Sequence, residues 1–404
     1  MIMNSAHRLE AVIVDAVRSP MGRGKADGAL ASLHPVDLLA QVLAALVQRT
    51  GIDPGSVDDV LIGCVGQAGE QSATPGRQAW LAAGFPTHVP SVTIERKCGS
   101  GQQAIDFAVQ GVMAGAYDLV IAGGVESMSR VPMGSPRAGK DPYGAAVSAR
   151  FAPGLVPQGV SAELVAARWQ LSREQLDRYS YRSHQRAARA RDAGAFDAEI
   201  VPIRVPSEAG TLIVTADETI RAQTTAERLG QLKPAFAIPE YCARFPEIEW
   251  KITAGNSSQI TDGASAVLIM SEQRAAALNL RPRARIVATA VCGDDPVLML
   301  TGPIPATRKV LARAGLGLDD IDLFEVNEAF ASVPLAWQAE LGVDDGERLN
   351  VRGGAVALGH PLGASGSRLF TTLLNALEAS GGRYGLQTMC EAGGMANALI
   401  VERI

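Results

Sequence analysis

The segment at positions 94–104 reads Ile94-Glu95-Arg96-Lys97-Cys98-Gly99-Ser100-Gly101-Gln102-Gln103-Ala104. It overlaps the β-branched run Val92-Thr93-Ile94, which predicts a buried strand. Apolar residues recur at helical spacing after the segment, as far as Met113, and predict a helix. Cys98 is therefore expected at the point where a strand turns sharply into a helix.

Two interpretations of Cys98 are open at this point. The small residues Gly99 and Gly101 allow the backbone to approach a ligand closely. The first N–H groups of a helix are unpaired and carry partial positive charge, which favours a thiolate, the reactive form of cysteine. The alternative is a small buried cysteine at a tight turn, with no chemistry of its own.

Length and composition limit the class of protein. The chain has 404 residues, of which 47% are hydrophobic, 5% are aromatic and 42 are glycine. That length exceeds one ordinary core, so two core units or one large α/β array are expected. The net charge of −5 at pH 7 and the sequence pI of about 5.7 argue against the clustered basic charge of a nucleic-acid-binding protein.

The five cysteines are widely scattered and form no Cys-x-x-Cys pair. This pattern excludes a disulfide framework and a zinc site, and it suits the reducing cytosol. Residues 1–10 lack the apolar core of a signal peptide, and no run of about 18 apolar residues follows. We therefore expect a soluble cytoplasmic protein with no metal site and with no membrane or nucleic-acid partner.

Strand and helix patterns alternate along the first 130 residues. Short apolar runs at 11–14, 59–62 and 119–122 predict buried strands, and patterns at 35–48 and 76–83 predict helices. Such alternation predicts a largely parallel sheet that is covered on both faces. From about 131 to 256, prolines and glycines interrupt the pattern. We interpret 131–256 as an inserted loop domain, and long inserted loops usually carry binding function.

The second part of the chain repeats features of the first in the same order. Ser100-Gly101 recurs as Ser365-Gly366, each opening a predicted helix. Ala122-Gly123-Gly124 recurs as Ala392-Gly393-Gly394, each ending a predicted strand. This order predicts an internal duplication of two strand–helix halves packed back to back. The predicted first half is 1–130 plus 257–278, and the predicted second half is 279–404.

Three further segments with chemically capable side chains lie in the second half: Asn327-Glu328-Ala329-Phe330, Gly359-His360-Pro361 and Met389-Cys390-Glu391. His360 precedes a predicted helix start, as Cys98 does in the first half. A lone histidine is more often structural than catalytic. In a duplicated fold, however, equivalent helix N-termini can face one cleft, where a nucleophile and its base would meet.

These three segments and the Cys98 turn, taken together and in this order, resemble the thiolase family. Its members are CoA-dependent acyltransferases that cleave or form 3-ketoacyl-CoA. The resemblance covers essentially the whole chain. It implies an α/β fold of five αβαβα layers, built from two duplicated halves with an inserted loop domain that binds CoA. The segments 158–163 and 256–259 look more like the degradative members than the short-chain biosynthetic ones.

The resemblance also implies catalytic roles. Cys98 would be the nucleophile that becomes acylated, with His360 as its base. Cys390 would be the second acid/base, which moves a proton to or from the α-carbon of acetyl-CoA. Asn327 would hold a water that stabilises the enolate oxygen together with His360. The backbone N–H groups of Cys98 and Ala392 would stabilise the oxyanion at the acylated cysteine.

A CoA site follows from the same resemblance. The matching positions are Arg221 for the adenine end, Phe236 and Ala254 along the pantetheine, Ser258 near its amides, and Ala329, Phe330 and Ala392 beside the substrate. On the sequence alone, Arg221 is equally well explained as a solvated loop charge. The implied reaction converts 3-ketoacyl-CoA and CoA into acetyl-CoA and a shortened acyl-CoA, reversibly. CoA is then a co-substrate, and no metal or redox cofactor is needed.

Two positions depart from the usual family pattern. Gln158 stands where biosynthetic relatives have methionine, which affects the contacts expected for the acyl chain. Ala392 stands where the family usually has glycine. We expect a negative φ at Ala392, because alanine would be strained at a positive φ.

Other functions are open besides a 3-ketoacyl-CoA thiolase. An acetoacetyl-CoA-forming acetyl-CoA acetyltransferase is one alternative. A decarboxylating ketoacyl synthase shares the fold and a nucleophilic cysteine, but it has histidine or asparagine partners in place of a second cysteine such as Cys390. A non-catalytic acyl-CoA-binding protein is a third alternative, which the intact reactive residues oppose. The resemblance further implies a homotetramer or at least a dimer, with the segment 131–157 suited to contacts between subunits.

Overall fold

The computed structural model describes residues 10–207, 210–344 and 346–404. The described strands are β1 Ala11–Arg18, β2 Gly22–Arg23, β3 Asp59–Gly63, β4 Ser91–Ile94, β5 Leu119–Ser127, β6 Ile203–Ser207, β7 Gly210–Val214, β8 Thr261–Ser271, β9 Ala284–Gly293, β10 Leu323–Val326, β11 Tyr384–Glu391 and β12 Met395–Arg403. The described α-helices are α1 Pro35–Thr50, α2 Pro75–Ala82, α3 Ser100–Met113, α4 Gly144–Arg150, α5 Gln158–Arg168, α6 Arg173–Asp192, α7 Ala226–Gly230, α8 Pro239–Arg244, α9 Glu272–Ala277, α10 Pro303–Ala314, α11 Ser332–Leu341, α12 Ala355–Leu358 and α13 Leu362–Ser380.

The main sheet consists of two half-sheets with the same strand order. The first runs β1-β8-β5-β3-β4, and the second runs β9-β12-β11-β10. A short pairing of β1 with β9, at Val12–Arg285 and Ile13–Ala284, joins them. Since each strand of the second half has a counterpart at the same place in the first, the predicted duplication is confirmed.

The prediction of a largely parallel sheet is wrong. β3 pairs in parallel with β4 and β5, and β10 pairs in parallel with β11. The pairs β5–β8, β1–β8, β11–β12 and β9–β12 are antiparallel. β11 and β12 are joined by a turn of a few residues, and such a short connection can join only antiparallel strands.

Helices cover both half-sheets and also fill the space between them. α1 and α2 pack on the outer face of the first half-sheet, and α10 packs on the outer face of the second. α3 and α13 contact each other and both half-sheets. Separate apolar clusters fill the outer and the central interfaces. The result is the expected five-layered αβαβα arrangement.

The repeated glycines allow the two central helices to approach each other closely. A Cβ atom on Gly366 would lie 2.3 Å from the backbone nitrogen of Gln102, and one on Gly101 would lie 2.8 Å from the carbonyl oxygen of Gly363. Both distances are too short for any residue with a side chain. The N-terminal ends of α3 and α13 can therefore meet only because these positions are glycine, which brings the Cys98 turn and the His360 loop to one region.

A second repeated feature is an aspartate that holds the start of a neighbouring strand. One carboxylate oxygen of Asp58 accepts hydrogen bonds from two successive backbone N–H groups at the start of β5, and Asp322 does the same at the start of β11. The four donors are Asp118 at 2.6 Å and Leu119 at 2.9 Å, and Arg383 at 2.7 Å and Tyr384 at 2.8 Å.

The Ala-Gly-Gly match is not a structural repeat. Gly123 and Gly124 lie inside β5, where close contacts with β8 and α13 leave no room for a side chain. Gly393 and Gly394 lie in the turn after β11 and have φ values of 90° and 74°. Glycine is needed at 123–124 because of close packing and at 393–394 because of the positive φ. The two glycine pairs are therefore not at equivalent positions of the two halves.

The strand before Cys98 is less buried than predicted. β4 is the edge strand of the first half-sheet, and it pairs only with β3 among the described strands. Val92, at its centre, is 44% exposed. The β-branched pattern identified a strand correctly, but it could not show that one edge of that strand has no neighbour among the described strands.

The segment 131–256 contains helices α4–α8 and the hairpin β6–β7. Its first part, residues 132–150, is exposed throughout. A buried ion-pair network ties its later part to the core: Arg18 of β1 donates to Glu199 at 2.6 Å and to Asp217 at 2.7 Å. No helix in the described part of the chain combines the length and apolar character that a bilayer crossing requires.

Candidate active site

Cys98 lies in a tight turn between β4 and α3, as expected. Lys97, just before it, has a φ of 46°, which is unusual for a residue with a side chain. Ser100 stabilises this conformation, because its hydroxyl donates to the Lys97 carbonyl at 2.6 Å and accepts from the Arg96 N–H at 2.9 Å. The turn therefore holds the thiol in one place at the start of α3.

The surroundings of Cys98 favour the neutral thiol in the resting protein. Burial raises the pKa of Cys98 well above its usual value, and the nearby Cys390 and Glu391 raise it further. A hydrogen bond from the Gln158 side chain acts in the opposite direction but is weaker. The expectation that the helix N-terminus would favour a thiolate is therefore not met, and a base has to remove the proton.

His360 is the candidate for that base. It is buried just before α13, and burial, followed by the positive charge of Arg368, lowers its pKa to about 3. The imidazole is therefore neutral at physiological pH and can accept a proton. Its Nδ1 contacts the Ser365 hydroxyl, and its Nε2 has no hydrogen-bond partner among the described residues.

Cys390 and Asn327 lie together at the ends of two adjacent strands. Cys390 is the penultimate residue of β11, and Asn327 directly follows β10. The Asn327 Nδ2 lies 3.9 Å from the Cys390 Sγ, while its Oδ1 is buried and finds no partner in the described residues. Burial raises the pKa of Cys390 to about 12, although the Asn327 contact opposes this shift.

Glu328 connects the inserted segment to the second half, a contact that no sequence pattern predicts. Its carboxylate accepts four hydrogen bonds, from the side chains of Tyr179, Ser183 and Asn350 and from the backbone of Val356, at 2.8–3.0 Å. Tyr179 and Ser183 belong to α6, and Val356 belongs to α12. Gly354 leaves the space that this carboxylate occupies, because a Cβ at position 354 would lie 2.3 Å from the carboxyl carbon of Glu328.

Six of the residues predicted to bind CoA and substrate form a nearly continuous wall. The Arg221 guanidinium donates to the Gln259 side-chain oxygen at 3.1 Å, and the neighbouring Ser258 N–H donates to the Ala329 carbonyl at 2.9 Å. Phe330 and Phe236 meet edge to face, with ring centroids 6.1 Å apart. The same apolar cluster includes Cys390 and Ala392. Ala254 is exposed in a turn beside this wall.

Ala392 has the backbone conformation that we expected. It is not among the described residues with a positive φ, unlike the two glycines that follow it. Its neighbour Glu391 is fully buried, and burial raises the pKa of that carboxyl to about 8. Neither carboxyl oxygen of Glu391 has a hydrogen-bond partner in the part of the chain that the structure describes.

The described residues contain no group of three or more His, Cys, Asp or Glu side chains arranged to hold a metal ion. The polar groups of the site are instead thiols, an imidazole, carboxamides and backbone N–H groups. Such a set can form a thioester, move protons and stabilise an oxyanion.

Three of the contacts at the site were not predicted from the sequence. They are the Gln158 contact with Cys98, the Ser365 contact with His360 and the four hydrogen bonds that the Glu328 carboxylate accepts. In the sequence, Gln158 stands out only as a departure from the family pattern, and Ser365 only as part of a repeated Ser-Gly pair. The position of Ser365, one turn into a helix that begins beside His360, was the one available signal.

Comparison with known proteins agrees with this geometry. The chain matches the family model described as thiolase, N-terminal domain, over residues 11–273, and the one described as thiolase, C-terminal domain, over residues 280–403. The steroid 3-ketoacyl-CoA thiolase FadA6 of Mycobacterium tuberculosis is 47% identical over 403 residues, which cover 98% of this chain and 94% of that protein.

Other relatives are similar over nearly their full length. A beta-ketoadipyl-CoA thiolase of Acinetobacter baylyi is 44% identical, covering 98% of this chain and 99% of the relative. The crystal structure of the Bacillus anthracis acetyl-CoA acetyltransferase superposes with a TM-score of 0.88 at 38% identity, covering 98% of this chain and 99% of that one. With both domain models matched and relatives this similar, the chain belongs to the thiolase family.

Proposed function

We propose that this protein is a 3-ketoacyl-CoA thiolase of the degradative type. The observation that carries the proposal is the pair of buried cysteines, Cys98 and Cys390, which lie close enough for Cys390 to raise the pKa of Cys98. Each has its own carboxamide neighbour, Gln158 for Cys98 and Asn327 for Cys390. A second thiol beside the nucleophile supports a proton transfer to carbon, which a decarboxylating synthase would not need.

In the first step His360 takes the Cys98 proton, and the thiolate attacks the 3-keto carbon of the substrate. The bond between C2 and C3 then breaks, and its electron pair forms the enolate of acetyl-CoA. Cys390 protonates that enolate at carbon and becomes a thiolate, and acetyl-CoA leaves. The shortened acyl group stays on Cys98 as a thioester.

In the second step the thiol of CoA attacks that thioester, and the Cys390 thiolate takes its proton. The tetrahedral intermediate collapses, the acyl group leaves as acyl-CoA, and Cys98 recovers its proton from His360. The backbone N–H groups of Cys98 and Ala392 would stabilise the oxyanion at the acylated cysteine. A water on Asn327, together with His360, would stabilise the enolate oxygen. Every proton is returned, so the cycle needs CoA as co-substrate but no metal or redox cofactor.

The raised pKa values of the two cysteines support this assignment of protons. A thiol that stays protonated until its base acts does not react with other electrophiles between turnovers. The raised pKa of Cys390 also makes its thiolate a stronger base, which helps it to exchange a proton with a carbon acid.

The wall formed by Arg221, Ser258, Phe330 and Phe236 supports a CoA site that leads from the surface to the cysteines. We propose that Arg221 meets the adenine end, that Phe236 and Ala254 flank the pantetheine, and that Ser258 lies near its amides. We further propose a cytoplasmic location and a homo-oligomeric assembly, dimeric or tetrameric.

Steady-state thiolysis of acetoacetyl-CoA, a medium-chain 3-ketoacyl-CoA and a bulky ring-bearing 3-ketoacyl-CoA tests the proposal. We expect CoA-dependent cleavage of at least one longer or bulkier substrate. Turnover of acetoacetyl-CoA alone would favour the acetyl-CoA acetyltransferase alternative, and a requirement for a malonyl thioester would favour a ketoacyl synthase. No turnover of any substrate would leave a non-catalytic acyl-CoA-binding protein.

Mass spectrometry of the intact protein after mixing with acyl-CoA tests the nucleophile. We expect an acyl adduct on Cys98, which the Cys98→Ser variant lacks or forms far more slowly. An adduct that maps to Cys242 or Cys292 would refute the assignment of Cys98.

A further inference from the structure

The backbone of His360 is fixed from two sides. Its N–H donates to the Thr261 hydroxyl at 3.0 Å and to the Gln259 carbonyl at 3.1 Å. Gly359, just before it, has a φ of +88°, and a Cβ there would lie 2.2 Å from the Thr261 hydroxyl oxygen. Because the backbone cannot adjust, the orientation and tautomer of the ring depend on what its two nitrogens meet.

The Ser365 hydroxyl has two neighbours and only one hydrogen. Its oxygen lies 2.8 Å from the carbonyl oxygen of Pro361 and 2.5 Å from the Nδ1 of His360. Two oxygens at 2.8 Å repel each other unless a hydrogen lies between them, so the hydroxyl donates to Pro361. The Ser365 oxygen is then an acceptor towards the ring, and Nδ1 carries the hydrogen.

The other ring nitrogen supports the same assignment. Nε2 is buried and has no hydrogen-bond partner among the described residues. An Nε2–H group there would be a buried donor without an acceptor, which is unfavourable. Without a hydrogen, Nε2 presents a lone pair. Since burial also lowers the pKa of His360 to about 3, the ring remains neutral and that lone pair remains available.

We propose that Ser365 is a positioning residue that fixes His360 in the tautomer able to act as a base. The inference rests on the proposed function, in which His360 Nε2 takes the Cys98 proton. The other neutral tautomer would carry a hydrogen on Nε2 and could not accept that proton. Ser365 does not meet the substrate in this proposal; it acts through the ring.

Alkylation of Cys98 by iodoacetamide across a range of pH tests the proposal, because only the thiolate reacts. We expect the Ser365→Ala variant to be alkylated at least about tenfold more slowly than the wild type at pH 7, a modest part of what a general base contributes. The deficit should shrink steadily as the pH rises, because hydroxide competes increasingly with His360 for the thiol proton. The label is assigned by mass spectrometry of the Cys98 peptide.

Two further variants separate positioning from a general structural defect. Ser365→Thr keeps the hydroxyl and is expected to stay within about threefold of the wild type. Ser367→Ala removes a buried hydroxyl from the same helix, one that contacts Ser265 and the Ala364 carbonyl, and should leave the alkylation rate unchanged. If Ser365→Ala does not fold, Ser365→Cys takes its place, because a thiol is a weak acceptor.

A Ser365→Ala rate within twofold of the wild type at pH 7 would overturn the proposal. So would a deficit of the same size at every pH, or a Ser365→Thr variant as slow as the alanine variant. Wild-type thiolysis is measured in parallel. If the wild type is alkylated readily but cleaves no 3-ketoacyl-CoA, the proposed function fails, while the alkylation series still decides the role of Ser365.

Discussion

Two cysteines in one site can have different roles only if their surroundings differ. Cys98 precedes the N-terminus of α3 in a strained turn, and its thiol meets the Gln158 side chain. Cys390 lies on a strand, and its thiol meets Asn327. The first arrangement places a buried thiol at the start of a helix, while the second places a thiol beside a carboxamide that can hold a water. This difference supports the proposed roles, which are nucleophilic attack for Cys98 and proton transfer for Cys390.

Replacing Cys390 by alanine should therefore separate the two steps. Transfer of an acyl group from a simple acyl-CoA to Cys98 requires no proton transfer at carbon, so acylation should persist. Thiolysis and condensation should fall by at least about 10²-fold, the usual effect of losing a general acid/base. Intact-protein mass spectrometry measures the first and steady-state assays measure the second. Turnover like that of the wild type would remove Cys390 from the mechanism.

The buried Glu391 should make stability depend on pH. Its pKa is raised to about 8 by burial, whereas in the unfolded chain it ionises near the usual value of about 4.3. Between these values the unfolded state releases a proton that the folded state keeps, so folding becomes less favourable as the pH rises. Above pH 8 Glu391 is ionised in both states, so its ionisation no longer changes the free energy of unfolding.

Glutamine at position 391 cannot ionise, so the Glu391→Gln variant should not lose stability in this way as the pH rises. Its free energy of unfolding should gain on that of the wild type as the pH rises from 5 to 8, by at most about 1.4 kcal/mol per pH unit. Urea denaturation at several pH values measures the difference. The variant of an exposed carboxylate, Glu247→Gln, should run parallel to the wild type. A constant offset between Glu391→Gln and the wild type would show that Glu391 ionises normally in the fold.

Ala392 should be replaceable by glycine but not by proline. Alanine keeps the backbone N–H, and its φ does not require glycine, so Ala392→Gly should change kcat by less than about tenfold. Ala392→Pro removes the donor and should lower kcat by roughly 10²- to 10³-fold, as the loss of one oxyanion donor does. Circular dichroism confirms folding. Near-normal kcat in a folded proline variant would place the oxyanion hole elsewhere.

At the scale of elements, the sequence predicted what depends on local pattern. The helix predicted at 35–48, the strand–turn–helix at Cys98 and the duplication all appear in the structure. It could not predict what depends on neighbours distant in the chain. β8 pairs antiparallel with β1 and β5 only after a long insertion in the chain. The contact between Gln158 and Cys98 joins that insertion to the first half. The contact between His360 and Ser365 depends on an exact backbone geometry that spacing alone does not reveal.

The paired aspartates make a test of the duplication at this scale. Asp58→Ala and Asp322→Ala each remove a carboxylate that holds two backbone N–H groups at a strand start. Each variant should lose about 1–2 kcal/mol of unfolding free energy, and the double variant should lose the sum to within about 0.5 kcal/mol. Urea denaturation provides the values. Asp319→Ala, at an exposed position without such contacts, should change stability by less than about 0.5 kcal/mol. Very unequal losses would mean that the two halves no longer use the aspartate in the same way.

At the scale of the whole molecule, the inserted segment is joined to the core by buried polar groups. The ion pairs of Arg18 link it to β1, and the four hydrogen bonds of Glu328 link it to the second half. Buried polar contacts of this kind require specific geometry, because an unpaired buried charge is costly. They hold the segment that carries Arg221 and Phe236 in register with the segment that carries the cysteines. The proposed CoA site therefore depends on contacts that lie outside it.

Two surfaces of the chain support an oligomer. The edge strand β4 exposes Val92, and one of its edges pairs with no other described strand. An unpaired edge is a template for pairing with another chain. Residues 132–150 are exposed throughout and include Met133, Tyr143 and Val147. Light scattering at micromolar concentration should therefore give two or four times the chain mass of 42.2 kDa.

A charge at the edge strand should weaken this assembly. Val92→Lys places a lysine at the centre of β4, where it would have to be desolvated in a paired edge, so the variant should dissociate at higher concentration than the wild type. Val287→Lys is the matched control, since Val287 is 37% exposed but lies on β9, which has neighbours on both sides. Dissociation of both variants alike would mean that added charge acts nonspecifically. A wild-type protein of 42.2 kDa at micromolar concentration would contradict the oligomer itself, and β4 would then be an edge that the monomer leaves open.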